Sequence, residues 1–133
     1  CGVGFKLIQA FCIKRNINSN KLTPLLDLLA ISIAADIVPI VDENRILMFC
    51  GLRQINSSPR AGIKSLINLA KKDNDIKISD ILFGIAPLIN AAGRILHGKH
   101  AVEVLVEKDK TITMWSLKKN GFMKPILKLP KKI

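Results

Sequence analysis

From residue 25 to residue 35 the chain is apolar nearly all round, and no other stretch constrains the fold as much. A helix without a polar face must be covered on most sides, so this one belongs inside a packed body. Thr23-Pro24 reads as its start, with Thr as cap and Pro in the first turn. Pro39 disfavours helix at Val38 and closes it. Its uniformly apolar part, residues 28–35, is too short to span a bilayer. So is the longest uncharged run, residues 81–93, which holds Gly84, Pro87 and Asn90.

Helical signals recur on both sides. Apolar residues at positions 5, 8, 11 and 12 predict a helix over residues 5–13, followed by an Asn-rich loop from Arg15 to Lys21. Asp42-Glu43-Asn44 opens a helix over 45–55, and Ser58-Pro59 opens another over 60–72. Residues 71–75 read as a loop and 76–78 as a short extended piece. Ser79 is expected to cap a helix through Ala86, and residues 90–98, with two glycines, to form a loop or irregular helix. Residues 101–106 fit helix or strand, and Ala101 and Glu103 tip them towards helix. The predicted body is mainly α, with about six helices, and would suit the helical side of an α/β domain.

At 133 residues the chain makes one domain or part of one. Its first residue is Cys, so the expectation is a larger or processed product. No secretory signal pattern is visible. Three cysteines at positions 1, 12 and 50 show no paired or zinc-binding spacing, which suits reduced thiols in the cytoplasm. The net charge is +11, unevenly spread. Residues 1–109 hold 14 Lys+Arg against 10 Asp+Glu, whereas residues 110–133 hold seven Lys and no acid. Such a tail suits either polyanion attraction or simple solvation.

Few residues carry evident chemistry. Asp36 ends the apolar helix, and a carboxylate in that setting needs a partner. A divalent cation with oxygen preference is one; the next turn or an Arg is another. Asp27, about 2.5 turns earlier, faces away from Asp36 and reads as structural or exposed. Arg94, with Asn90 and Gly93 shaping the segment before it, suits a phosphate contact or a surface ion pair. Arg45 opposes the dipole of the helix it opens, so it calls for an anion or a local pair with Asp42. His97 and His100 are three apart, with no Cys near them. The opening Gly2-Val3-Gly4 lacks the remainder of a phosphate-binding loop.

Several segments, in order, resemble the RecJ family of single-stranded-DNA-specific exonucleases in the DHH phosphoesterase superfamily. They are Cys1-Gly2-Val3-Gly4-Phe5-Lys6-Leu7, Asp27-Leu28-Leu29-Ala30, Ala35-Asp36-Ile37-Val38-Pro39-Ile40, Glu43-Asn44-Arg45, Ile89-Asn90-Ala91-Ala92-Gly93-Arg94 and Ala101-Val102-Glu103-Val104-Leu105. The resemblance covers residues 1–109. It implies an α/β family fold, of which residues 1–75 are the C-terminal part of the catalytic domain and 76–109 a connecting segment. It also implies 5′-to-3′ hydrolysis of single-stranded DNA with two Mn²⁺ or Mg²⁺ ions, in DNA repair and recombination.

By the same resemblance Asp36 is a metal ligand, and Arg94, Asn90, Gly93 and Arg45 lie along the strand. Most of the family's metal ligands stand upstream of these segments, in an Asp-x-Asp and an Asp-His-His motif. The missing N-terminal and C-terminal parts of the enzyme are then its expected partners, with single-stranded DNA and no membrane, and the chain alone is expected to be inactive. Ser32-Ile33 replaces a frequent Gly-Thr, and Leu88 a frequent Arg. Residues 110–133 depart from the family's long charged helix, as after a frameshift, and receive no family role. A different class, a small basic nucleic-acid-binding protein without catalysis, is the alternative.

Overall fold

The expected central helix is present. In the computed structural model, which describes residues 1–72, 75–95 and 98–107 (without the side chains of residues 92–95 and 100), α2 spans Leu26–Ala35. Leu29, Ala30, Ile31, Ile33 and Ala34 are all buried. It begins later than Thr23-Pro24 predicts. Those two residues lie inside a 3₁₀ stretch, Ser19–Leu25, whose start is capped by Asn18 accepting from the Asn20 N–H at 2.9 Å. Pro24 lies near the end of that stretch, two residues before α2 begins, so the signal marks the junction of the two helices and not the cap of α2.

The other described elements are α1 (Gly2–Lys14), α3 (Asp42–Ser57), α4 (Ala61–Leu69), α5 (Ile78–Asp80), a π segment (Ile81–Ile85), α6 (Ala86–Ile95) and α7 (Gly98–Val106). There is no strand among the described residues, and none of their helices is long and apolar enough to cross a membrane. The Ser58-Pro59 and Ser79 signals are each slightly displaced. Arg60 caps α4 and Lys77 caps α5, where the Lys77 N–H donates to Asp80 Oδ2 at 3.0 Å. Residues 101–106 are helical in α7, as Ala101 and Glu103 suggested.

The layers close around α2. It packs against α3, α1, the π segment and α6. Met48 and Ile55 of α3, Ile63 and Leu66 of α4, Ile81 and Ile85 of the π segment, and Val104 of α7 complete one aliphatic core. Glycine permits the closest approaches. A Cβ at Gly51 would run into the Leu26 carbonyl and Ala30, and one at Gly62 into the backbone of Val104. Residues 76–107 thus share the core of the residues before them. Cys12 is buried and Cys50 half-buried, both as free thiols. The outward side of α1 is apolar, with Val3, Leu7 and Phe11 exposed.

The π segment has a local cause. Pro87 has no N–H to donate, and its ring would clash with the carbonyl four residues back. The turn before it is widened, so that the Ala86 N–H donates to the Ile81 carbonyl, five residues back. The helix then continues through Pro87 to Ile95.

Candidate metal and strand-binding site

Asp36 stands at the C-cap of α2, and its side chain is exposed. The helix ends in a left-handed turn: the Ile37 N–H donates to the Ala34 carbonyl at 3.2 Å, and the Val38 N–H to the Ile33 carbonyl at 3.1 Å. Ile37 has φ 53°. The ends of α1 and α4 use the same turn with Asn16 and Lys71 at that position. Asn accepts a left-handed backbone easily, whereas a β-branched residue does so only against steric resistance. The strain therefore concentrates next to Asp36.

The electrostatics of that position are adverse to a lone carboxylate. The last carbonyls of a helix carry its negative dipole end, which repels anions and attracts cations. Asp36 Oδ2 accepts a long 3.4 Å hydrogen bond from Ser32 Oγ. It forms no ion pair among the described residues. A small cation is the group this corner suits.

Asp27 makes the contrast. The expectation that it is structural holds, but it is buried and not exposed. Arg60 Nε–H donates to both of its oxygens, at 3.0 and 2.8 Å, and Nη2 lies 2.8 Å from Oδ1. The Leu28 N–H adds a fourth contact at 2.7 Å. Arg60 also donates to the Pro24 carbonyl at 2.6 Å and reaches the Leu105 carbonyl at 3.5 Å. Nothing near Arg60 in the sequence announces this pairing, because its partners lie more than 30 residues away.

Arg45 is in the first turn of α3, at the other end of the strained loop. Asp42 is itself left-handed, with φ 45°, and Asn44 Nδ2 donates to the Pro39 carbonyl at 3.1 Å, which folds the loop onto the helix start. The local Asp42–Arg45 pair is not formed; Arg45 is exposed and has no carboxylate partner among the described residues. Glu43 is occupied by Lys6 of α1.

Asn90, Gly93 and Arg94 lie on α6, where a loop or irregular helix was expected. Two alanines at 91 and 92 and continuity with the widened turn outweigh the two glycines. Gly93 therefore does not shape a loop. Asn90 is exposed, and Arg94 follows it by one helical turn. The side chain of Arg94 lies outside the described residues, as do His97 and the whole basic tail. Among the described residues no three His, Cys, Asp or Glu side chains gather as a metal site. Asp36 is thus a single oxygen donor.

Comparison with known proteins gives a consistent set of relatives. The chain is 38% identical over 109 residues to the single-stranded-DNA-specific exonuclease RecJ of Bacillus subtilis, covering 81% of this chain and 13% of the relative. It is 42% identical over 84 residues to the Salmonella typhimurium protein of that name, and 40% over 89 residues to the Escherichia coli one. Those matches cover 62% and 65% of this chain, and 15% of each relative. The chain therefore spans about one seventh of the length of these relatives. No family model matches it.

Proposed function

Because the chain belongs to the RecJ family of single-stranded-DNA-specific exonucleases, we propose that it is part of a metal-dependent enzyme that hydrolyses single-stranded DNA from the 5′ end, in DNA repair and recombination. The observation that carries the metal-dependent part of this reading is Asp36, an exposed carboxylate held at the negative end of α2 beside a strained residue. Oxygen donors of that kind suit Mn²⁺ or Mg²⁺. Such ions, when bound, supply an activated water and stabilise charge on the leaving oxygen.

The chain's own share is narrower. Asp36 contributes one ligand, and a two-metal site needs several. The others belong to the parts of the enzyme that the family carries upstream. Arg45, exposed and without a carboxylate partner among the described residues, offers a charged fork to a strand phosphate. Asn90, Gly93 and Arg94 of α6 are the second set of strand contacts. The isolated chain binds a strand but does not cleave it.

A chimera tests this. The matched stretch of the Bacillus subtilis enzyme is replaced by that of this chain, and Mn²⁺-dependent release of nucleotides from single-stranded DNA is measured. The chimera is expected to be active, its Asp36→Asn variant to lose at least a hundredfold or so of its rate, as loss of electrostatic stabilisation at a reacting centre does, and the isolated chain to release nothing. Full activity of the Asp36→Asn chimera would refute the metal role.

A further inference from the structure

A groove runs along the outer side of α3, away from the core. One wall is the helix itself. The other is residues 76–79, clamped to it by Asn56, whose Nδ2 donates to the Ile76 carbonyl at 3.0 Å while its Oδ1 accepts from the Ile76 N–H at 2.8 Å. Two adjoining hollows of about 510 and 770 Å³ share Phe49, Leu52 and Ile78 and make the groove continuous. Its lining holds Arg45 at one end and Arg53 and Lys77 further along, and no carboxylate.

The register is regular. Arg45, Phe49 and Arg53 follow at i, i+4 and i+8, so they line one face of α3 over roughly 12 Å. Phe49 is 61% exposed; Phe11 and Phe83 are exposed as well, but of these only Phe49 lines the groove. The guanidinium of Arg53 lies over it, 5.9 Å from the centroid. A flat apolar ring backed by a planar cation, between further cations, combines the two things a single strand presents: base faces to stack and phosphates to neutralise.

We infer that this groove binds single-stranded nucleic acid, with Phe49 as the stacking platform and Arg45, Arg53 and Lys77 as phosphate contacts. The inference takes its occupant from the single-strand reading above and extends the strand path from Arg45 to Phe49 and Arg53. A duplex keeps its base faces stacked internally and offers the ring nothing.

The test is fluorescence anisotropy of a labelled oligothymidine with the full chain at low salt, using wild type, Phe49→Ala, Arg53→Gln and Arg94→Ala. Phe49→Ala is expected to weaken binding about fivefold to a hundredfold, the usual worth of one stacked base. Arg53→Gln should make the salt dependence shallower by about 0.7 in log–log slope. Unchanged affinity in Phe49→Ala overturns the inference, and so does an equal loss with duplex or with phosphatidylserine vesicles. If Arg94→Ala weakens binding and Phe49→Ala does not, the groove fails and the single-strand reading stands. If the wild-type chain prefers duplex, both fail. Far-UV circular dichroism of Phe49→Ala, an exposed position, checks that the fold is kept.

Discussion

Arg60 and Asp27 join across 33 positions of sequence, the guanidinium donating to both carboxylate oxygens from the cap of α4 into the first turn of α2. The same Arg holds the Pro24 carbonyl and reaches that of Leu105, so one side chain links the 3₁₀ stretch, α2, α4 and α7. Asp27 is 1% exposed. Removing its partner leaves a buried charge, at a cost of about 3–5 kcal/mol. Arg60→Ala is therefore expected to lower the urea midpoint severely, and Arg60→Lys to recover little, since an ammonium cannot reproduce the fork. A loss below roughly 1 kcal/mol, the worth of a surface pair, would contradict the clamp.

Asp36 predicts the opposite sign. In the isolated chain its carboxylate faces the carbonyl end of α2 with only a long bond from Ser32. Asp36→Asn should stabilise the chain by about 0.3–1 kcal/mol at low ionic strength, and less in high salt. Thermal melts at two salt concentrations measure this. A gain in stability where the chimera loses activity would separate function from folding at one residue.

Ile37 carries a cost that glycine would not. Ile37→Gly frees the left-handed turn of its Cβ clash, and the expected gain is roughly 1 kcal/mol despite the greater freedom of the unfolded chain. The matching substitution Asn16→Gly at the end of α1 should change the melting temperature much less, because Asn already tolerates that backbone. Equal responses at both positions would remove the case for strain beside Asp36.

Gly51 and Gly62 allow helices to touch. A methyl at Gly51 meets the backbone of Leu26, and one at Gly62 meets that of Val104. Neither neighbour is a flexible side-chain end, so Gly51→Ala and Gly62→Ala should each destabilise by about 1–3 kcal/mol or more. Ala at the exposed Gly4, with open space around it, should be neutral or slightly stabilising through helix propensity. Chemical denaturation of the three variants decides the ranking.

Acid should act on the α5 corner. Lys72, 2.6 Å away, and the Lys77 N–H hold the Asp80 carboxyl below its ordinary value of 3.8. A carboxyl lowered in the folded state stabilises above its unfolded pKa, and the contribution is lost as pH falls from there through the folded value. Asp80→Asn should therefore be less stable than wild type at neutral pH, with the gap closing below about pH 4. A gap that stays constant down to pH 2 would exclude the ion pair as its source.

The central helix was legible because an all-round apolar stretch can only be buried, and the ends of α3 nearly so because Asp42-Glu43-Asn44 is a strong start. Thr23-Pro24 marks the junction with α2 and not its cap, since the 3₁₀ stretch that holds both residues begins at Ser19. The stretch around Gly93 reads as loop or irregular helix from its two glycines, because glycine weakens a helix without forbidding it. Asp36 and Arg45 were visible as charges in unusual local settings. Arg60 was not, because its meaning lies in a contact made by tertiary packing, and Phe49 was not, because an apolar ring in an amphipathic helix reads as core until its exposure is known.

The widened turn at Ile81–Ile85 also sets a phase. A π turn holds one residue more than the helix needs, so everything after it is advanced by about 100° around the axis. Delete a single residue there, and α6 would keep its length and composition while the side bearing Asn90 swung towards another neighbour. The orientation of the segment that most resembles a strand-binding motif thus hangs on one surplus residue, which makes this stretch intolerant of single-residue deletion though only Ile81 and Ile85 of its side chains are buried.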